Sequence, residues 1–284
     1  MAFVVKRAQH AGACYGVQRA LDMTNKAACE QPSVCTLGPL IHNPRVVSDL
    51  ESRGITACNS IDDIAASSVV IRSHGVAPEV LSLLSEKGYT VIDATCPHVM
   101  RAQQAAAKMA QDGYHVLVVG EAGHPEVEGI SAYARSKGGQ CTIVDGAADI
   151  PKQLEGNIGV VVQTTQSREK LDGVVSALRE RGIEPLVKDT ICFATAQRQR
   201  SAAELAEEAD CMVVIGGRNS SNTTRLFELC QAHGRVAYHV EGPEEIDPSW
   251  FEGCSVVGVT AGASTPENQI DAVIAAIEQV APQA

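Results

Sequence analysis

Three cysteines divide this chain into copies of one pattern. Cys14, Cys96 and Cys192 are each followed by glycine 24 positions on (Gly38, Gly120, Gly216) and by a polar residue at 28 (His42, His124, Ser220). An apolar run of strand character precedes each glycine, at 33–37, 116–119 and 212–215, and a helix-like stretch follows each polar residue. The thiols stand 82 and 96 residues apart, a period too long for a solenoid repeat and suited to a small α/β module.

Each copy then repeats a second strand and loop. Val69 to Ile71 runs into Ser73-His74-Gly75, Val160 to Val162 into Gln163-Thr164-Thr165, and Val256 to Val259 into Ala261-Gly262-Ala263-Ser264. Helical patterns open after these loops at Pro78-Glu79, Arg168-Glu169 and Pro266-Glu267, where a proline or an acid marks a first turn. Strands alternating with helices predict α/β modules with parallel sheets. We expect modules at 14–95, 96–191 and 192–284, the last completed by the N-terminal segment 1–13, because Phe3 to Val5 precedes Cys14 as Val91-Ile92 precedes Cys96. Three copies about a common centre would bring together the loops at the carboxyl ends of their strands, where such folds bind ligands.

Composition narrows the function. A net charge of −11 argues against a general nucleic-acid or anionic-membrane binder, since both need a basic surface. No apolar run reaches the ~18 residues of a membrane span, and no secretory leader is expected. Ten cysteines in that setting suggest a reducing compartment with free or metal-bound thiols. Cys29, Cys35, Cys58, Cys141, Cys211, Cys230 and Cys254 do not recur in the repeat and are read as packing.

The three repeated thiols carry the chemistry. Buried packing at a repeated position is their bland reading. Converging thiolates would otherwise hold zinc, or an iron–sulfur cluster with one iron left open. Structural zinc normally closes its tetrahedron with a fourth protein ligand, often from a short cysteine pair missing here, and ordinary 4Fe–4S carriers use four cysteines.

The loops add His42, His74, His124, Thr164, Thr165, Ser220, Ser221, Asn222 and Ser264, compact hydrogen-bonding groups near helix starts. They suit a phosphate or diphosphate, and they also suit helix capping, which uses the same geometry. At position 30 after the thiol the copies carry Pro44, Glu126 and Asn222, so one copy alone presents a carboxyl group. It is either a first-turn glutamate or a proton donor whose pKa is raised by neighbouring negative charge. Thr164, in the facing loop of that copy, is placed to relay the proton.

These residues resemble the LytB/IspH-type family of 4-hydroxy-3-methylbut-2-enyl diphosphate reductases. The resemblance runs from about Phe3 to Val280 and rests on Cys14-Tyr15-Gly16-Val17-Gln18-Arg19-Ala20, Gly38-Pro39-Leu40-Ile41-His42-Asn43, Ser73-His74-Gly75-Val76, Asp93-Ala94-Thr95-Cys96-Pro97, Gly123-His124-Pro125-Glu126-Val127, Gln163-Thr164-Thr165-Gln166, Asn219-Ser220-Ser221-Asn222 and Thr260-Ala261-Gly262-Ala263-Ser264.

It implies a trefoil of three α/β modules, related by pseudo-threefold symmetry, around a 4Fe–4S cluster ligated by Cys14, Cys96 and Cys192, its fourth iron open. The implied reaction removes the allylic hydroxyl of the diphosphate substrate with two electrons and two protons, as the last step of the non-mevalonate isoprenoid route. Glu126 would deliver protons with Thr164 assisting and His124 near the relay. His42, His74, His124, Ser220, Ser221, Asn222 and Ser264 would hold the substrate's diphosphate, with Thr164 as a further substrate-binding residue. The implied setting is cytoplasmic, with reduced ferredoxin or flavodoxin as donor and neither nucleic acid nor membrane as partner. One departure is Ala13, where members commonly carry an aromatic residue before the first cysteine; Tyr15 is placed to fill part of that space. Two other classes are a three-cysteine iron–sulfur Lewis acid that dehydrates or isomerises without net reduction, and a non-enzymatic metal-binding redox sensor.

Overall fold

The computed structural model describes residues 3–281; residues 1–2 and 282–284, assigned above to the third module, lie outside the described residues. The chain begins with β1 (Val4–Arg7) and continues through α1 (Tyr15–Glu30), β2 (Val34–Leu37), α2 (Pro44–Ser52), β3 (Thr56–Cys58), β4 (Ser68–Ile71), α3 (Pro78–Glu86) and β5 (Thr90–Asp93). The next stretch holds α4 (Pro97–Gln111), β6 (His115–Val119), α5 (Pro125–Arg135), β7 (Cys141–Val144), β8 (Ile158–Val162), α6 (Arg168–Glu180) and β9 (Leu186–Lys188). Last come α7 (Phe193–Glu208), β10 (Cys211–Ile215), α8 (Ser221–Ala232), β11 (Val236–Val240), β12 (Val256–Ala261) and α9 (Glu267–Gln279).

The strands form three four-stranded sheets of one topology: β3-β2-β4-β5, β7-β6-β8-β9 and β11-β10-β12-β1. Every pairing is parallel. The N-terminal strand pairs with β12, from Val4 opposite Val256 to Arg7 opposite Val259.

Burial follows strand position. The central strands β2, β4, β8 and β10 are buried at every residue, as continuous apolar runs covered on both faces should be. Successive side chains divide between the two covering layers. Leu117, Val119, Val160 and Val162 pack with Leu171 and Leu178 of α6, whereas Val116, Val118 and Val161 pack with Ala106 of α4 and Ile130 of α5. The third sheet repeats this, Val213 and Ile215 meeting Ile270 of α9 while Met212 and Val214 meet Leu226 of α8.

By compactness the chain forms two units. One, built from the segment up to Val17, from His42–Ser48 and from Phe193 onward, holds the β11-β10-β12-β1 sheet. The other, from Gln18–Ile41 and Asp49–Cys192, holds the other two sheets. Within the second unit α5 lies against the loop after β4: a side chain on Gly129 would begin 3.9 Å from the carbonyls of His74 and Val76.

Candidate active site

In each sheet the chain leaves one central strand for an edge strand and returns to the other central strand, so the order reverses between the two. Ligands of open α/β sheets bind beyond the carboxyl ends of the strands at such a reversal. The loops opening there follow β2 and β4, β6 and β8, β10 and β12, and they carry the repeated polar residues. The repeat therefore places its functional groups by topology.

In the module of β6 and β8, His124 caps the N-terminus of α5 and Pro125 occupies the first turn. The Glu126 backbone N–H donates to His124 Nδ1 at 3.2 Å. An accepting Nδ1 puts the proton of the neutral ring on Nε2. Burial, then the positive charge of Arg72, pushes the His124 pKa down to about 4, so the ring is neutral at pH 7. His74, in the loop after β4, meets it edge to face with ring centroids 5.5 Å apart.

Glu126 points inward from the same turn and is only 2 % exposed. Thr164, at the end of β8, binds both carboxyl oxygens: its backbone N–H donates to Oε1 at 2.6 Å and its hydroxyl to Oε2 at 2.9 Å. Burial raises the Glu126 pKa to about 7, against the pull of those two hydrogen bonds. Among the protein's own groups burial dominates this shift, and the charge of Glu121 adds least to it. The carboxyl group is thus tuned by desolvation, and it can gain or lose a proton near neutral pH. Glu128, two residues on, turns away and accepts the Gly123 N–H at 3.0 Å.

The other unit gathers the remaining polar residues. Ser264, after β12, donates through its hydroxyl to the His42 carbonyl at 3.0 Å and approaches the Ser220 hydroxyl at 3.5 Å. Ser220 caps α8, accepting the Thr223 N–H, and so has the capping role as well. Asn222 accepts the Ala263 N–H at 2.9 Å, while its buried Nδ2 has no hydrogen-bond partner among the described residues. Ser221 lies between Ser220 and Asn222 and is buried like them. Asn43, to which the sequence assigned no role, braces the cluster through Nδ2 to the Ser264 carbonyl and Gln269 Oε1, both at 2.9 Å.

The three repeated thiols share one local geometry. Each precedes a helix directly: Cys14 before α1, Cys96 at the N-cap of α4, Cys192 before α7. Each backbone N–H donates to a carbonyl two residues beyond a central strand: Cys14 to Ala263 (3.0 Å), Cys96 to Ser73 (2.9 Å), Cys192 to Thr164 (2.9 Å). All three are half-buried, and the ten cysteines are free of disulfides. Arginines that follow two of these thiols brace the approach to another. Arg19 donates to the Thr95 carbonyl beside Cys96, and Arg198 donates twice to the Gly12 carbonyl ahead of Cys14.

The other cysteines differ in setting. Cys35, Cys211 and Cys230 are buried, and desolvation pushes each thiol up to about 12, where it stays protonated. Cys29 corrects the packing expectation, because it is exposed. Tyr15 is 70 % exposed and does not fill the space beside Ala13. Sequence reasoning also passed over Arg72; its signal was a cation placed directly between the apolar strand β4 and Ser73-His74.

The family model described as LytB protein matches residues 5–278. The chain is 46 % identical over 275 residues to the 4-hydroxy-3-methylbut-2-enyl diphosphate reductase of Pelobacter propionicus, covering 96 % of this chain and 97 % of that one. It is 48 % identical over 273 residues to the enzyme of the same name from Geotalea uraniireducens, covering 96 % of each. Among solved structures, it resembles (E)-4-hydroxy-3-methyl-but-2-enyl diphosphate reductase, described as the terminal enzyme of the non-mevalonate pathway, with a TM-score of 0.72 and 40 % identity over 98 % of this chain and 100 % of that one. Its fold is also that of a Plasmodium falciparum reductase, with a TM-score of 0.89 at 23 % identity over 97 % of this chain and 88 % of that one.

Proposed function

The chain belongs to the LytB protein family, and from that premise we propose that it is a 4-hydroxy-3-methylbut-2-enyl diphosphate reductase. Two electrons and two protons convert the substrate to isopentenyl and dimethylallyl diphosphate, and the allylic hydroxyl leaves as water. The observation that carries this reading is the buried Glu126 carboxyl group, tuned to about 7 and held at both oxygens by Thr164.

That pair suits proton delivery to a leaving hydroxyl. A proton on Oε2 turns the Thr164 hydroxyl from donor to acceptor, which frees the hydroxyl hydrogen for the substrate oxygen. His124 fixes the turn that carries Glu126, and its accepting Nδ1 puts the ring proton on Nε2. His42, His74, His124, Ser220, Ser221, Asn222 and Ser264 are the proposed diphosphate contacts, and Thr164 is proposed to meet the substrate at the leaving hydroxyl; the place of these residues at the strand-order reversals and the unpartnered Asn222 Nδ2 support this.

Cys14, Cys96 and Cys192 are the proposed ligands of one 4Fe–4S cluster. Their support is the chemistry of the donor set: half-buried thiols outside any disulfide in three equivalent backbone settings, with helix N-termini favouring negative charge. When bound, that group supplies the electrons and a Lewis-acidic iron lacking a protein ligand. The proposed modules are 14–95, 96–191 and 192–284 with 1–13. Reduced ferredoxin or flavodoxin is the proposed donor and the cytoplasm the proposed setting, in keeping with ten cysteines that form no disulfide. No helix among the described residues is long and apolar enough to cross a membrane.

Anaerobic reconstitution with iron and sulfide, then assay with the substrate and dithionite, tests the reading. Two electrons consumed per product are expected. Conversion of the substrate to a different product without electron consumption would instead assign a dehydratase or isomerase, and no conversion would remove the assignment.

A further inference from the structure

Arg72 follows β4 directly and precedes Ser73 and His74. Its guanidinium lies over Gly38 so closely that a Cβ there would come within 2.7 Å of Nη1. Gly38 also has φ +74°, so both space and backbone exclude a side chain under the arginine. Arg72 Nε is buried and lacks a hydrogen-bond partner among the described residues. Burial lowers the pKa of Arg72, and no carboxylate among the described residues offsets that effect. The charge nevertheless acts on His124, which it helps to keep neutral.

A partly buried cation with no counter-ion among the described residues carries a desolvation cost, which an anionic ligand would offset. The groove that Arg72 lines with Val76, Val80 and Pro125 also carries Glu128, which disfavours an anion in the groove itself. The hydroxyls and amides of the proposed diphosphate site carry no charge, and His124 is held neutral. We propose that Arg72 is a positioning residue of the diphosphate site, its guanidinium giving the His74–His124 side of that site a fixed positive charge. The inference rests on the diphosphate reading above.

The test is calorimetric titration of inorganic pyrophosphate into the anaerobic holoenzyme, for wild type, Arg72→Gln and Arg72→Lys, at low and high salt. Arg72→Gln is expected to weaken binding roughly tenfold, the size of one partly screened charge interaction. It should also flatten the salt dependence and raise KM more than it lowers kcat. Arg72→Lys, which keeps the charge, should recover most of the affinity. Wild-type affinity in Arg72→Gln, or equal losses in the two variants, would overturn the inference and leave Arg72 as packing over Gly38. Should Arg72→Gln fail to fold, pyrophosphate binding to the wild type that ignores salt overturns it just as well. If the wild-type holoenzyme turns over substrate yet binds no pyrophosphate, the diphosphate reading fails first, and the inference with it.

Discussion

The Thr164 hydroxyl donates to Glu126 Oε2 across 38 residues of chain, while the Thr164 N–H holds Oε1. A carboxamide at 126 satisfies the same two partners, its oxygen accepting the N–H and its NH₂ donating to the hydroxyl. Glu126→Gln is therefore expected to fold and retain its cluster absorbance and pyrophosphate affinity, while kcat drops at least about 10²-fold for want of a proton donor. Steady-state kinetics beside iron content check this, and wild-type turnover would end the assignment of Glu126.

Thr164→Val removes the hydroxyl and leaves the backbone donor. Loss of a hydrogen bond to a charged group, worth about 1.5–3 kcal/mol, should drive the Glu126 pKa higher. The pH above which kcat falls moves up, and its plateau drops at least about tenfold as the relay is lost. A pH–rate profile separates the two effects.

Stability should also record Glu126. Its pKa rises from 4.5 to about 7 on folding, so the folded chain binds more protons than the unfolded chain in that window and stability falls as pH increases through it. His124, lowered from 6.5 to about 4, acts in the opposite sense: its contribution is full above 6.5 and is lost as pH falls towards 4. The two partly cancel in the wild type. The difference in unfolding free energy between Glu126→Gln and wild type isolates the carboxyl group and should grow in favour of the variant, by up to about 1.4 kcal/mol per pH unit. Urea melts between those limits measure it; a difference indifferent to pH would show that Glu126 keeps an ordinary pKa.

Replacing Cys96 by Ser should lower bound iron and the visible absorbance, whereas Cys29→Ser, on an exposed helix position, should leave both unchanged. Iron analysis after identical anaerobic reconstitution distinguishes them. Equal iron in the two variants would remove Cys96 from the ligand set.

Gly120 lies where the two halves of the acid site meet. A Cβ there would stand 2.7 Å from Val127 Cγ2 and 2.8 Å from Gln163 Oε1, in the helix of Glu126 and the loop of Thr164. Gly120→Ala should destabilise by about 1–3 kcal/mol through overpacking, and kcat should fall with it because the same contacts set the Glu126–Thr164 distance. Denaturant unfolding and kinetics on one preparation test the pair of effects.

The central strands were legible in the sequence because burial on both faces leaves an uninterrupted apolar run, as in Val116 to Val119. The edge strands β3 and β9 were not. They have three residues each, and exposed Thr56, Leu186 and Lys188 give no periodic signal. In the site, the thiols and Glu126 stood out through repetition and its interruption at one position. The reason for Glu126's raised pKa did not, because desolvation arises from how α5 and the Thr164 loop close over the carboxyl group. Asn43 and Arg72 act through partners distant in sequence or through the lack of one, which no local pattern records.

The three hydrogen bonds from Cys14, Cys96 and Cys192 to the loops beyond the central strands join main chain to main chain. Such a bond has no side chain to mutate, so the location of each sulfur descends from the path of the chain. Side chains elsewhere in each repeat can therefore differ without moving the backbone positions that carry the thiols. One repeat carries Glu126 where another has Pro44 and the third Asn222, so repeats of one backbone plan present different chemistry at the same position.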